Sequence, residues 1–187
     1  MPLIDAYIKC DDIEGSYNLD TTRDQSDKLS DIIGSSMAKA KEEHTGWSEI
    51  YTFSYSLNDS HPSISITKPV DAASNELFVR CLKKHSKKRK EGNNTKTHKM
   101  QEMKLHVCRW VDENKDGIID TFQTFLEYTF SDCSITSYST DIDLAASDIP
   151  GEKITITFKK MSMKHYHPEE SSVFEYDFGK KDKNASK

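Results

Sequence analysis

Alternation of apolar and polar residues with a period of two dominates this chain, the pattern of strands with one buried face. Ile4, Ala6 and Ile8 fall on one face of an opening strand, with Asp5, Tyr7 and Lys9 on the other. Tyr51, Phe53, Tyr55 and Leu57 alternate with Thr52, Ser54 and Ser56, and such aromatic residues favour a pleated surface. Ile64 and Ile66 mark a short strand after His61 and Pro62. Leu105, Val107 and Val111 alternate with His106, Cys108 and Trp110, and 122–130 and 133–138 read as two more strands. A last strand over 154–158 changes parity at Lys159 and Lys160 before Met161 and Met163, which predicts a β-bulge where a sheet bends. Short strands separated by turn signals predict a barrel or a sandwich.

One helix stands out against this background. Ser74 fits an N-cap, and Leu77, Phe78, Cys81 and Leu82 form one apolar stripe over 71–85. Lys83, Lys84 and His85 occupy the last turn, where the helix dipole favours positive charge. The stripe predicts a helix packed across the open side of a β-body. Two stretches read as insertions. The segment 20–45 is polar, yet Leu29, Ile32, Ile33 and Met37 keep helical spacing; the segment 86–100 lies within a basic stretch poor in apolar residues. The expected organisation is one domain over 1–179 with these two insertions, and a frayed tail over 180–187.

Composition narrows the function classes. A chain of 187 residues fits one domain with a real core. Hydrophobic residues make up 35% and mean hydropathy is -0.74, so loops and polar faces take much of the length. The 26 basic and 31 acidic side chains leave a net charge of -5, which gives no broad basic surface for nucleic acid. No signal peptide and no membrane span is legible, so no direct membrane insertion is expected. Cys10, Cys81, Cys108 and Cys133 form no C-x-x-C pair and read as reduced core thiols of a cytoplasmic protein.

Catalytic signatures are missing: the seven glycines stand singly, so no G-x-S-x-G, G-x-G-x-x-G or P-loop can be written. No catalytic residue is assigned and no enzyme is expected. The sharpest local motif is Asp112-Glu113-Asn114-Lys115-Asp116-Gly117-Ile118-Ile119-Asp120. It follows the EF-hand loop pattern, and Asp112, Asn114, Asp116, the Ile118 carbonyl and Asp120 could supply the oxygens that calcium requires. Gln123 stands at the twelfth position, where the pattern wants glutamate, and the flanks read as strands. A turn rich in Asp, Asn and Gly is the alternative. His165 and His167 could face one side of a strand, but no third ligand accompanies them, so a polar strand end is expected. Lys83, Lys84, Lys87, Lys88, Arg89 and Lys90 form a basic run without an aromatic residue to stack on bases, and a solvated loop is expected.

Taken in order, these segments resemble the haemolysin co-regulated protein (Hcp) family, the inner-tube subunit of type VI secretion. Ile4-Asp5-Ala6-Tyr7-Ile8-Lys9-Cys10 with Ile13-Glu14-Gly15 looks like the family's first strand and turn. Gly46-Trp47-Ser48-Glu49-Ile50-Tyr51-Thr52-Phe53-Ser54-Tyr55 looks like its next strand, and Ile66-Thr67-Lys68-Pro69-Val70-Asp71 its strand-to-helix junction. Glu152-Lys153-Ile154-Thr155-Ile156-Thr157-Phe158-Lys159-Lys160 is similar to its long late strand, and 174–179 to its closing element. The specificity lies in the succession. The longer segments at 20–45 and 86–100, and the 112–120 hairpin, mark a divergent member.

The resemblance implies a mainly β fold, a β-barrel of two packed antiparallel sheets with one flanking helix at about 75–85. It implies a homo-hexameric ring that stacks into a tube, with sheath, spike and effector proteins as partners and no nucleic acid. It further implies a start in the bacterial cytoplasm and secretion through the type VI machine without a signal peptide. The rival readings are a monomeric calcium-binding β-module and the tail tube of a phage-like contractile device. No cofactor is expected unless calcium binds.

Overall fold

The computed structural model describes residues 4–11, 13–16, 43–57, 62–86, 99–111, 121–141, 150–167 and 170–180. Their elements run β1 (Ile4–Cys10), β2 (Ser48–Ile50), β3 (Thr52–Ser56), β4 (Ser63–Pro69), α1 (Ser74–Ser86), β5 (Lys99–Val111), β6 (Thr121–Asp141), β7 (Gly151–Thr157), β8 (Lys160–His165) and β9 (Ser172–Asp177). The strands form one antiparallel sheet in the order β2-β1-β5-β6-β7-β4-β3, with β8 pairing β6 and β9 pairing β8. β2 and β3 stand at opposite ends of this order, yet only Tyr51 separates them in sequence. One stretch of chain thus pairs β1 through 48–50 and β4 through 52–56, which brings the two ends of the sheet together. The mainly β fold with one flanking helix agrees with the sequence. Its layers are parts of one curled sheet, whose strand order stays open in hydrogen bonds between β2 and β3.

The curl has a local cause. The two strands expected over 122–130 and 133–138 are one long strand, β6, bent where Asp132 takes a φ of 56°. Tyr128 and Phe130 are buried before that point and Cys133 and Ile135 after it, so the inward parity shifts by one residue. β7 and β8 follow the same edge of β6, with Thr157 opposite Ser134 and Lys160 opposite Ser131. The parity change read at Lys159 and Lys160 falls here, between two strands, with Phe158 buried before it and Met161 after it. Both partners therefore bend at one place.

Inside the curl, Ile64, Ile66, Met103, Leu105, Phe130 and Ile154 are buried to 1% exposure or less. Full burial of each such side chain contributes about 1.5–3 kcal/mol. Helix α1 covers the sheet with Leu77 and Cys81, while Phe78 and Leu82, from the same expected stripe, stay half exposed. Its entry is fixed by reciprocal bonds: Ala73 N–H donates to the Asp71 carboxylate at 2.9 Å, and Asp71 N–H donates to the Ser74 hydroxyl at 2.8 Å. The cap is thus Asp71, and Ser74 serves as the first helical residue.

Two other strand readings need correction. In β1 the outermost Ile4 is exposed and Tyr7 is buried, because the turn at 43–47 covers the second face. In and beside β3, Tyr51, Tyr55 and Leu57 are exposed although they alternate as a buried face would. All four cysteines are free and buried, as their spacing suggested. Burial pushes the Cys10 and Cys108 thiols up to about 12, which leaves them protonated and poor nucleophiles.

Candidate functional site

The calcium-loop residues Asp112, Asn114, Asp116, Ile118 and Asp120 lie outside the described residues. The flanks of that segment are antiparallel partners, with Val111 opposite Thr121, so it links two strands and not the two helices of an EF-hand. His165 and His167 have ring centroids 6.3 Å apart. Among the described residues no group of three or more side chains is arranged to hold a metal. Lys83 and Lys84 of the basic run sit at the end of α1, and Lys87 to Lys90 lie outside the described residues. No helix among the described residues is long and apolar enough to cross a membrane.

Two buried polar nodes hold the body together. The first lies where β4 enters α1. Lys68 is fully buried, and its ammonium donates to Asp71 Oδ1 at 2.6 Å, Glu152 Oε1 at 2.7 Å and the Pro69 carbonyl at 2.8 Å. The Tyr138 hydroxyl donates to the other oxygen of Glu152, and burial followed by that carboxylate pushes the phenol up to about 12. One cation thus ties β4, β6, β7 and the cap of α1. The sequence reading matched this junction by its Lys-Pro-Val-Asp run without seeing that Glu152 completes it, because Glu152 lies 84 positions away.

The second node was missed from sequence. His44 Nε2 and His106 Nδ1 lie 3.0 Å apart in a buried contact. Tyr7 stacks on His44 at 4.5 Å, and Trp47 lies 4.5 Å from His106. Burial and the neighbouring His44 push His106 down to about 4, against a smaller opposing pull from Glu127. The only sequence signal is that His106 and Cys108 share a strand parity; nothing in the spacing points to His44.

Among the described residues, three faces expose large apolar side chains. β9 is an edge strand, paired to β8 alone, and exposes Val173, Phe174 and Tyr176 beside Glu170 and Glu175. Helix α1 exposes Phe78 and Leu82, with Lys83 next to them. Tyr51, Tyr55 and Leu57 form the third. A hollow between β6, β8 and β9 is polar, and its Lys160 pairs with Asp177 at 3.4 Å.

Residues 7–165 match the family model described as "Type VI secretion system effector, Hcp". The chain belongs to the Hcp family. It is accordingly a type VI secretion tube subunit, and the family is structural. The fold agrees. Hcp1 from Salmonella typhimurium superposes with a TM-score of 0.61 at 15% identity, covering 94% of this chain and 95% of that one. A type VI secretion system effector from Yersinia pestis gives 0.57 at 18% identity, covering 92% and 99%. The secreted protein Hcp3 from Pseudomonas aeruginosa gives 0.59 at 11% identity, covering 93% and 96%. No curated protein sequence matches the chain. Hcp architecture therefore persists here at low identity, as the succession of short segments implied.

Proposed function

We propose that this Hcp subunit assembles head to tail into a six-membered ring, and that rings stack into a tube that carries effectors and engages sheath and spike proteins. The observation that carries the reading is a pair of unlike faces exposed among the described residues. β9 offers apolar side chains with acidic neighbours and an open strand edge, while α1 offers apolar side chains with basic neighbours. Unlike patches that meet between copies form heterologous contacts, and these close into a ring when the rotation permits. Exposed Phe174 and Leu82 would be the anchors. Export from the bacterial cytoplasm through the machine itself belongs to the same reading. No catalytic step is assigned.

Native mass measurement and negative-stain imaging of the purified chain test it, with a six-fold ring expected. Phe174→Glu or Leu82→Glu each shifts that ring to monomer while the far-ultraviolet spectrum stays unchanged. A wild-type monomer at high concentration overturns the reading. A monomer that changes with calcium would favour the rival module.

The calcium reading of 112–120 rests on the spacing of Asp112, Asn114, Asp116, Ile118 and Asp120 alone. If the loop takes calcium, calorimetric titration gives a heat that Asp116→Ala abolishes; a flat titration of the intact chain removes the site and leaves a turn rich in Asp, Asn and Gly.

A further inference from the structure

The His44–His106 contact does something that a structural hydrogen bond alone would not. An N–H···N bond at 3.0 Å needs one nitrogen with a hydrogen and one without. His106 Nε2 lies 3.9 Å from Glu127 Oε2, whose negative charge favours the ring hydrogen on that side, and we assign Nδ1 as the acceptor from His44 Nε2. Protonating the accepting nitrogen replaces attraction by two N–H groups facing each other across 3.0 Å, with positive charge in an aromatic enclosure.

The turn that carries His44 is also the root of the early insertion. In the 43–47 turn Gly46 takes a φ of 76°. The Gly46 carbonyl accepts from Gly15 N–H at 2.7 Å and from Lys9 Nζ at 3.0 Å. A Cβ on Gly15 would stand 2.2 Å from the Trp47 carbonyl oxygen, so the two ends of the insertion are pressed together. His44 and Trp47 are the side chains that pin this turn onto Tyr7 of β1 and His106 of β5.

We propose that the His44–His106 pair is a proton-sensitive clasp, which frees the 43–47 turn from the sheet when the surroundings acidify. The groups around it set its direction. From β5, Lys104 opposes a charge on His106 and Cys108 adds only a neutral thiol, 3.9 Å from His44 Nε2. From β6, Glu127 favours a charge, but the Tyr166 hydroxyl occupies its Oε2 at 2.7 Å, and Lys164 lies over the Tyr166 ring. Glu43 and Asp5 act at Cys108 from the turn and from β1. Burial outweighs the acids: the folded His106 titrates below an unfolded histidine, so the closed form is favoured above about 6.5 and loses ground as pH falls toward 4.

The clasp belongs to the single subunit and holds whether or not rings form. Hydrogen exchange of the intact protein, corrected for intrinsic rates, tests it from pH 7.5 to 4.5. Opening of 43–50 is expected to rise about tenfold per pH unit below pH 6.5 for one proton taken up, and more steeply if both rings charge. Amides of Ile135 and Ile154 should hold their protection over the same range. The double variant His44→Gln with His106→Gln should lose the slope. Imidazole nitrogen shifts give a second readout in the unmodified protein, with His106 titrating well below the ordinary 6.5. The clasp is overturned if 43–50 shows no slope, if Ile135 and Ile154 share the same slope, or if His106 titrates as an exposed histidine does.

Discussion

The two buried polar nodes sit on the same body and are built on opposite principles. At Lys68 a full charge is kept inside, and two carboxylates, a carbonyl and a hydroxyl surround it. At His106 charge is kept out, and aromatic faces and a second imidazole line the space. The first arrangement gives the β4–α1 junction one geometry, because each oxygen of the node has a fixed place. The second holds the 43–47 turn only as long as one nitrogen stays bare. A strand-to-helix junction is thus locked, while the root of an insertion is left responsive.

Removing one partner breaks this comparison most severely at the charged node. Lys68→Met leaves the Glu152 and Asp71 carboxylates without their buried counter-charge, and losing one member of a buried pair costs about 3–5 kcal/mol. Urea denaturation should report that loss, and Lys68→Met with Glu152→Gln should cost clearly less than the sum of the two single changes. Additive losses would mean that Lys68 packs but does not pair.

Acid acts on the other node. His106 falls from an ordinary 6.5 to about 4 in the folded protein, a difference equivalent to about 3 kcal/mol. The unfolded chain binds the proton more readily, so this stability is present above about pH 6.5 and is lost as pH falls to 4. Denaturation midpoints across that range should fall in the parent and fall less in His106→Gln. Equal decline in both would assign the acid sensitivity to other groups.

The sequence made the strands of this Hcp chain legible because alternation needs only neighbours a few positions apart. It also placed α1, whose Leu77 and Cys81 do face the sheet. It did not reveal which faces stay open: Tyr51, Tyr55 and Phe78 are apolar in sequence and exposed in the single chain. Surfaces of that kind follow the core's pattern, since a face that packs against a second copy obeys the same chemistry. The nodes were hidden for another reason. Glu152 reaches Lys68, and His106 reaches His44, from 84 and 62 positions away, and pairing at that range leaves no local spacing. The bend was half visible, as a parity change at Lys159 whose partner at Asp132 the sequence split into two strands.

A backbone change at the root of the insertion should cost less than either node. Gly46 has a φ of 76°, where a residue with a Cβ is strained, and the added carbon would meet the flexible ends of Glu14 and Lys9. Gly46→Ala is expected to cost about 1–2 kcal/mol. Gly15→Ala should cost more, because its Cβ meets the Trp47 backbone and no side chain can swing away. Thermal melts of the two variants check the order, and the reverse order would mean that this root yields without strain.

The smallest effect expected is on the surface of α1, where a charge pair lacks what makes the Lys68 node strong. Arg80 Nε donates to Glu76 Oε1 at 2.9 Å, one turn away, and Glu76 is nearly half exposed. Water screens such a pair and the flexible side chains lose entropy to form it, so Glu76→Ala should cost under about 0.5 kcal/mol. Arg80 also reaches Asp11 at 3.4 Å, and Asp11 accepts the Gln101 and Glu102 amides that start β5. Arg80→Ala should therefore exceed Glu76→Ala, even though the two residues share one ion pair. If the two variants melt together, exposure and not connection sets the worth of a charge on this helix, and the contrast between the nodes reduces to burial alone.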